Sequence, residues 1–300
     1  MFMSLSTGER SKATLLILYL ILCFVSTSLI ANDTLLVIEA EDSLLLENNI
    51  NNKRATIASI GAICGLYVAY DQFQDIWGES SGSFHLKSDD WDYDGLAQND
   101  EFSHFMASKL LVQFCGSIAR WVGFTPDNSL WIGVYSSALL TLWVEIVDGY
   151  NPDQGFGVTD LVTGSMGITF EALRQKYPSV NRFDMKVFFK GIEDIPPTVI
   201  IAEDFKGYDN TIYLVTYRIS DRYPIDAALG YSTRRSYNKT NKYYKKPVRE
   251  YYVGVGISGT NAIGLIDKKF ARKYVGFLDW FEISLLYHFY SSDPVNLKHH

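Results

Sequence analysis

The sequence predicts an α+β protein: an N-terminal bundle of about four apolar helices followed by an antiparallel β region of four to five strands. Apolar runs of helical length, bounded by Gly, Pro or capping residues, occupy residues 55–178. Alternating, aromatic and β-branched segments separated by turn residues occupy residues 190–300. Charge changes between the halves as well. Residues 39–160 hold 18 acidic and 5 basic side chains, whereas residues 205–275 hold 14 basic and 5 acidic ones.

In chain order, residues 1–31 carry Arg10 and Lys12, an apolar run from Ala13 to Val25, then small residues, the layout of an export signal or an N-terminal anchor. Residues 32–54 are polar and Asn-rich and read as a linker. The first helix of the 55–178 unit contains Gly61 and Gly65, four apart, a spacing that lets another helix approach. The second runs from Asp100 to Val122 and stops at Gly123 and Pro126; the third starts on a cap at Asp127 or Asn128 and ends near Asp148. The fourth begins at Thr159 or Asp160 and ends near Lys176. Their apolar stretches of about 15 residues fall short of the roughly 20 that a bilayer crossing requires. In the second half, Thr211–Ile219, Asp226–Ser232, Glu250–Ser258 and Trp280–Tyr290 read as strands, and Arg234–Arg249 as a long exposed hairpin loop.

The hydrophobic fraction of 47% is high for a soluble chain, yet a mean hydropathy of -0.01 is low for a multi-span transporter. Membrane association fits both values. The basic residues of the second half are spread along strands rather than gathered on one helix, which speaks for anionic lipid over nucleic acid. Cys64 and Cys115 lie within apolar helical patterns and read as buried free thiols.

Polar residues are costly on apolar helices unless they pair, bind a metal or do chemistry. Four stand out: His104, Glu145, Asp148 and Asp160. Glu145 and Asp148 are three apart and share a helix face. Together the four suit a divalent metal with nitrogen and oxygen ligands, general acid/base chemistry, or a hydrogen-bonded lock between helices. A second candidate is Asp90-Trp-Asp92-Tyr-Asp94-Gly95 followed by Glu101, the spacing of a calcium loop with alternate acids, a turn Gly and a final Glu. Nucleotide loops, a nucleophile elbow, His-Glu-x-x-His and paired Cys-x-x-Cys motifs are absent.

Asp100-Glu-Phe-Ser-His104, Trp143-Val-Glu-Ile-Val-Asp-Gly-Tyr150 and Gly155-Phe-Gly-Val-Thr-Asp160 with Gly164 to Gly167 resemble the YfiM-like periplasmic lipoproteins, a domain of unknown function. Ser83-Phe-His-Leu86, Asp209–Tyr213 and Leu229-Gly-Tyr231 fit the longer members, which add strands after the helices. That family is in turn similar to VanZ-like membrane proteins. The resemblance implies a site at Asp100, His104, Glu145, Asp148 and Asp160 and an envelope location. This chain has Glu101 where the family pattern has a basic residue.

The expectation is therefore an exported, membrane-associated envelope protein, periplasmic or membrane-bound, whose partners are lipid or envelope proteins. Its cluster is structural in one reading. In the other it serves a metal-assisted or acid/base, hydrolase-like reaction on a lipid-linked or cell-wall substrate. Whether the chain is an enzyme is left open by the sequence.

Overall fold

The computed structural model describes residues 49–77, 82–87, 96–152, 154–191, 205–220, 223–235, 237–238, 243–244, 246–266 and 279–293. The expected export segment 1–31, most of the linker 32–54 and Asp90, Asp92 and Asp94 of the calcium-type loop lie outside these residues. The architecture is mixed helix and sheet. Helices α1 (Asn52–Trp77), α2 (Asn99–Val122), α3 (Pro126–Tyr150) and α4 (Val158–Lys176) come first. Strand β1 (Phe183–Phe189), short helix α5 (Phe205–Asn210), β2 (Thr211–Arg218) and β3 (Asp226–Arg234) follow. The small hairpin β4 (Tyr237–Asn238) and β5 (Tyr243–Tyr244) leads to β6 (Val248–Ser258), α6 (Gly259–Gly264) and β7 (Glu282–Ser291).

Among the described residues three helices pack closely together, and the expected bundle of four is not confirmed. Helix α2 lies between α3 and α4. Glycines allow this, because a Cβ at Gly133 or Gly167 would run into the backbone carbonyl of Val112 or Phe105. Among the described residues helix α1 is tethered near its start, where Asn51 N–H donates to the Val122 carbonyl at 2.9 Å and the Arg54 guanidinium to that of Trp121 at 3.1 Å. Ile57, Ile60 and Ile63 on α1 remain exposed, and a Cβ at Gly61 or Gly65 would meet open space. The close helix approach expected there is thus not found among the described residues.

Helix ends follow backbone chemistry. Helix α2 stops at Gly123, whose φ of 114° lets its N–H turn back to the Ala119 and Arg120 carbonyls. Helix α3 is capped by Thr125, with Pro126 in the first turn, and not by Asp127 or Asn128. By length and composition Pro126–Gly149 could cross a bilayer, more than the sequence patterns suggested. A buried core helix meets the same criterion; this one packs on α2 and α4, yet only 28% of its most apolar window is buried.

Five antiparallel strands form one sheet in the order β1-β2-β3-β6-β7. It curls until β1 reaches the start of β7, with a bridge between Val187 and Phe281. Met185, Val187 and Tyr213 pack on Met106 of α2, with Phe102, Phe105 and Phe170 around them. A buried ion network reinforces this seam: Arg174 of α4 binds Glu171 at 2.8 Å and Asp184 of β1 at 3.0 Å, and Lys109 of α2 reaches Asp184 and the Met185 carbonyl. Strand β1 was not among the strands expected from sequence. Its Asp184 and Lys186 look like surface residues in the pattern, yet both are buried and paired.

Of the two thiols, Cys64 is exposed, against expectation, and Cys115 is half-buried; both are free.

Candidate functional site

The site sits where the first turns of α2 and α4 meet the last turns of α3. The turn into α2 is forced: Ala97 and Gln98 adopt positive φ values of 52° and 67°, a conformation that non-glycine residues hold only when surroundings fix it. The sheet fixes it. Tyr231 donates to the Ala97 carbonyl, Arg249 grips the Gln98 side-chain oxygen at 2.7 Å, and Asn99 binds Thr233. The turn into α4 uses Gly155, with φ of 91°. There the Phe156 N–H donates to the His85 carbonyl and the Lys87 N–H to the Phe156 carbonyl, both at 3.0 Å. This short strap, residues 82–87, delivers Lys87.

Four polar side chains and one lysine converge. His104 Nδ1 lies 3.5 Å from Glu145 Oε1. On the other side of the ring, Nε2 lies 3.6 Å from Asp100 Oδ1 and 4.0 Å from Asp160 Oδ1. Lys87 Nζ stands 3.4 Å from the second oxygen of both aspartates. Tyr208 Oη donates to Asp100 at 2.8 Å, and the Gly157 N–H donates to Glu145 Oε2 at 3.0 Å. Burial is graded, from His104 with 22% of its side chain exposed to Glu145 with 1%. The site therefore opens on the His104 side and has Glu145 as its floor.

Electrostatics follow from this packing. Burial lifts the Glu145 carboxyl to about 8, helped by Asp160 and opposed by His104 and the Gly157 N–H. Burial works against a charged His104, but Asp100, Asp160 and Glu145 outweigh it and raise the imidazole above its usual range. Asp100 is held below the usual carboxylate range because His104, Lys87 and Tyr208 overcome its burial.

The distances discriminate between chemistries. Separations of 3.6 and 4.0 Å are too long for hydrogen bonds. They suit two atoms that each bind one cation at about 2.0–2.2 Å. The ligand atoms of Asp100, His104 and Asp160 all lie within 4.8 Å of one another. Glu145 on the opposite ring nitrogen is the outer carboxylate that metal-binding histidines usually carry. Three carboxylates against Lys87 leave two negative charges, the balance of a divalent ion. Protons on His104 and Glu145 supply the same charge when no metal is bound.

Of the residues expected from sequence, His104, Glu145 and Asp160 meet directly, joined by Asp100 from the family resemblance. Asp148 does not reach the ring. It is half-buried, acts on Glu145 through its charge, and its backbone carbonyl receives the Asn151 and Gly155 N–H groups. Lys87 and Tyr208 were missed, since both arrive from outside the three helices. Of the calcium-type loop only Glu101 can be placed: it is buried in the first turn of α2 and its charge acts on Tyr231.

Comparison of the chain with protein-family models, with curated proteins and with solved structures returned no match.

Proposed function

We propose that the His104 cluster is a divalent-metal centre with Asp100, His104 and Asp160 as ligands and Glu145 as the carboxylate that orients the ring from its opposite nitrogen. The activity class is metal-assisted, hydrolase-like chemistry in an envelope-associated protein. The observation that carries this is the geometry at Nε2, where two carboxylates stand at metal-sharing rather than hydrogen-bonding distance. A lipid-linked or cell-wall substrate is supported by the rim. Phe84 and Leu86 on the strap, Tyr150, and Val158 beside Gly157 are all exposed apolar groups.

The test is elemental analysis and calorimetric titration of the purified full chain with Mn²⁺ and Zn²⁺. One ion per chain is expected, lost in His104→Ala and Asp160→Asn, with a chelator lowering the melting temperature. A second reading has specific support: Lys87 already bridges Asp100 and Asp160, and Glu145 binds the Gly157 N–H, so the cluster can serve as an interlock of α2, α3, α4 and the strap. Absence of stoichiometric metal, with a chelator-insensitive melting temperature that His104→Ala still lowers, selects the interlock and removes the metal centre.

A further inference from the structure

Helix α3 turns its large apolar side chains outward and its small and polar ones inward. A helix in water does the reverse, since burial of its apolar stripe is what holds it to the fold. Of the seven residues that α3 buries, only Leu130 is large and apolar; the others are Gly, Ser, Thr and Glu145. Helix α4 repeats the pattern, burying Ile168 beside Gly164, Gly167 and three charged groups.

Close approach and hydroxyl bonds hold α3 inward instead. The Ser137 hydroxyl donates to the Ser108 carbonyl of α2 at 2.8 Å, and the Thr141 and Ser108 hydroxyls meet at 2.9 Å. Towards α4, the Thr141 methyl fills the space that a Cβ at Gly164 would need. Small residues and interhelical hydroxyl bonds are the means by which helices associate where the surroundings are hydrocarbon and apolar burial gains nothing.

The outward side is continuous in character. On α3, Trp131, Tyr135, Leu139, Leu142 and Ile146 are exposed, Leu139 at 68%. On α4, Val158, Val162, Met166 and Leu173 are exposed too. Between Asp127 and Lys176 neither helix exposes a charge: Glu145, Asp160, Glu171 and Arg174 are buried and Asp148 is half-buried. Aromatic rings close both ends of the α3 row. Trp131 stacks on Tyr135 at 5.8 Å, and Tyr150 meets Phe84 of the strap edge-on at 5.3 Å. Trp and Tyr are the side chains that settle where acyl chains meet headgroups.

Helix α2 does not share this face. Its exposed residues are Phe114, Ser117 and Arg120, and its other side packs on β1 through Met106 and the Lys109–Asp184 pair. A helical unit that is apolar on one side suits seating in a single leaflet.

We infer that the α3–α4 face seats in the acyl layer of one membrane leaflet, with the strap and the mouth of the His104 cluster at its edge. The inverted packing selects hydrocarbon over a protein partner or a second copy. A helix that folds in water before meeting a partner still needs an apolar inner side, and α3 has Leu130 alone there. The inference does not rest on the metal reading, and its measurement is separate.

The full chain is tested with an environment-sensitive nitrobenzoxadiazole dye. The dye is attached at Leu139→Cys or Met166→Cys in a background where Cys23, Cys64 and Cys115 are serine. Asp293→Cys, exposed beyond the end of β7, is the control. Whatever else holds the chain to a vesicle, only seating of this face moves the probe. On phosphatidylcholine–phosphatidylglycerol vesicles, emission at 139 and 166 should shift to the blue while position 293 stays water-like. Doxyl groups placed near the headgroups should quench more than those at the chain ends. Water-like emission at both helix positions overturns the proposal. Stronger quenching from the chain ends, which marks a helix crossing the bilayer, also overturns it, as does an equal shift at 293. A shift already present without vesicles does the same, and a doubled mass in light scattering then assigns the face to a second copy. Two probe positions guard against one variant misfolding.

Discussion

His104 is held between opposing demands: its ring faces carboxylates on both sides, and the lysine that offsets them competes for any cation. Lys87→Met should therefore separate stability from affinity. Without metal it leaves Asp100 and Asp160 facing each other, so the melting temperature falls; with metal the more negative site binds Mn²⁺ more tightly, roughly tenfold per 1.4 kcal/mol gained. Calorimetric titration beside a thermal melt reads both. Proton linkage gives a second prediction. Glu145 titrates near 4.5 in the unfolded chain and about 8 in the fold, so between those values the folded state holds the extra proton and stability falls as pH rises. His104, also raised, acts in the same direction: its contribution is complete below 6.5 and fades as pH passes its folded value. Urea midpoints in chelator from pH 4 to 9 should decline, and Glu145→Gln should flatten the decline. His104, Glu145 and Asp160 were legible as polar residues on apolar helices. Lys87 was not, since a lysine beside the solvent-like run Ser88-Asp89-Asp90 carries no local sign of burial.

At the level of elements, small residues decide how closely backbones approach, and the sign of a glycine substitution depends on what the new methyl meets. Gly167→Ala places a Cβ against the Phe105 carbonyl and should cost about 1–3 kcal/mol. Gly61→Ala points into open space and should stabilise α1 by up to about 1 kcal/mol. Chemical denaturation of both variants checks the contrast. Helix positions, Gly123 as a stop and the last four strands of the sheet were readable from periodicity and turn residues. The Thr125 cap was misplaced by two or three residues because Thr125, Asp127 and Asn128 are all good caps, and only the Pro126 backbone selects among them. Strand β1 was overlooked for a deeper reason: alternation tells which residues share a face, not which face is enclosed.

Across the molecule, that ambiguity matters most. Lys186 is buried with two acids. Lys186→Met leaves Asp226 and Glu282 uncompensated and should destabilise the fold by about 3–5 kcal/mol, whereas adding Asp226→Asn and Glu282→Gln should restore much of it. Equilibrium unfolding of the single and triple variants decides this. By itself, the sequence determined the class, helices then antiparallel strands, and the identity of three residues of the central cluster, because these rest on short-range periodicity and on the cost of polar groups in apolar runs. Tertiary structure alone decided that Ile57, Ile60 and Ile63 of the first helix are left exposed, that Lys87 and Tyr208 join the site, and that the curled sheet encloses Lys186, Asp226 and Glu282 beside the apolar cluster of Ile212, Leu214 and Ala228. Those outcomes depend on contacts between residues as much as 151 positions apart, as between Gln98 and Arg249, and no local pattern encodes which distant surface a side chain will meet.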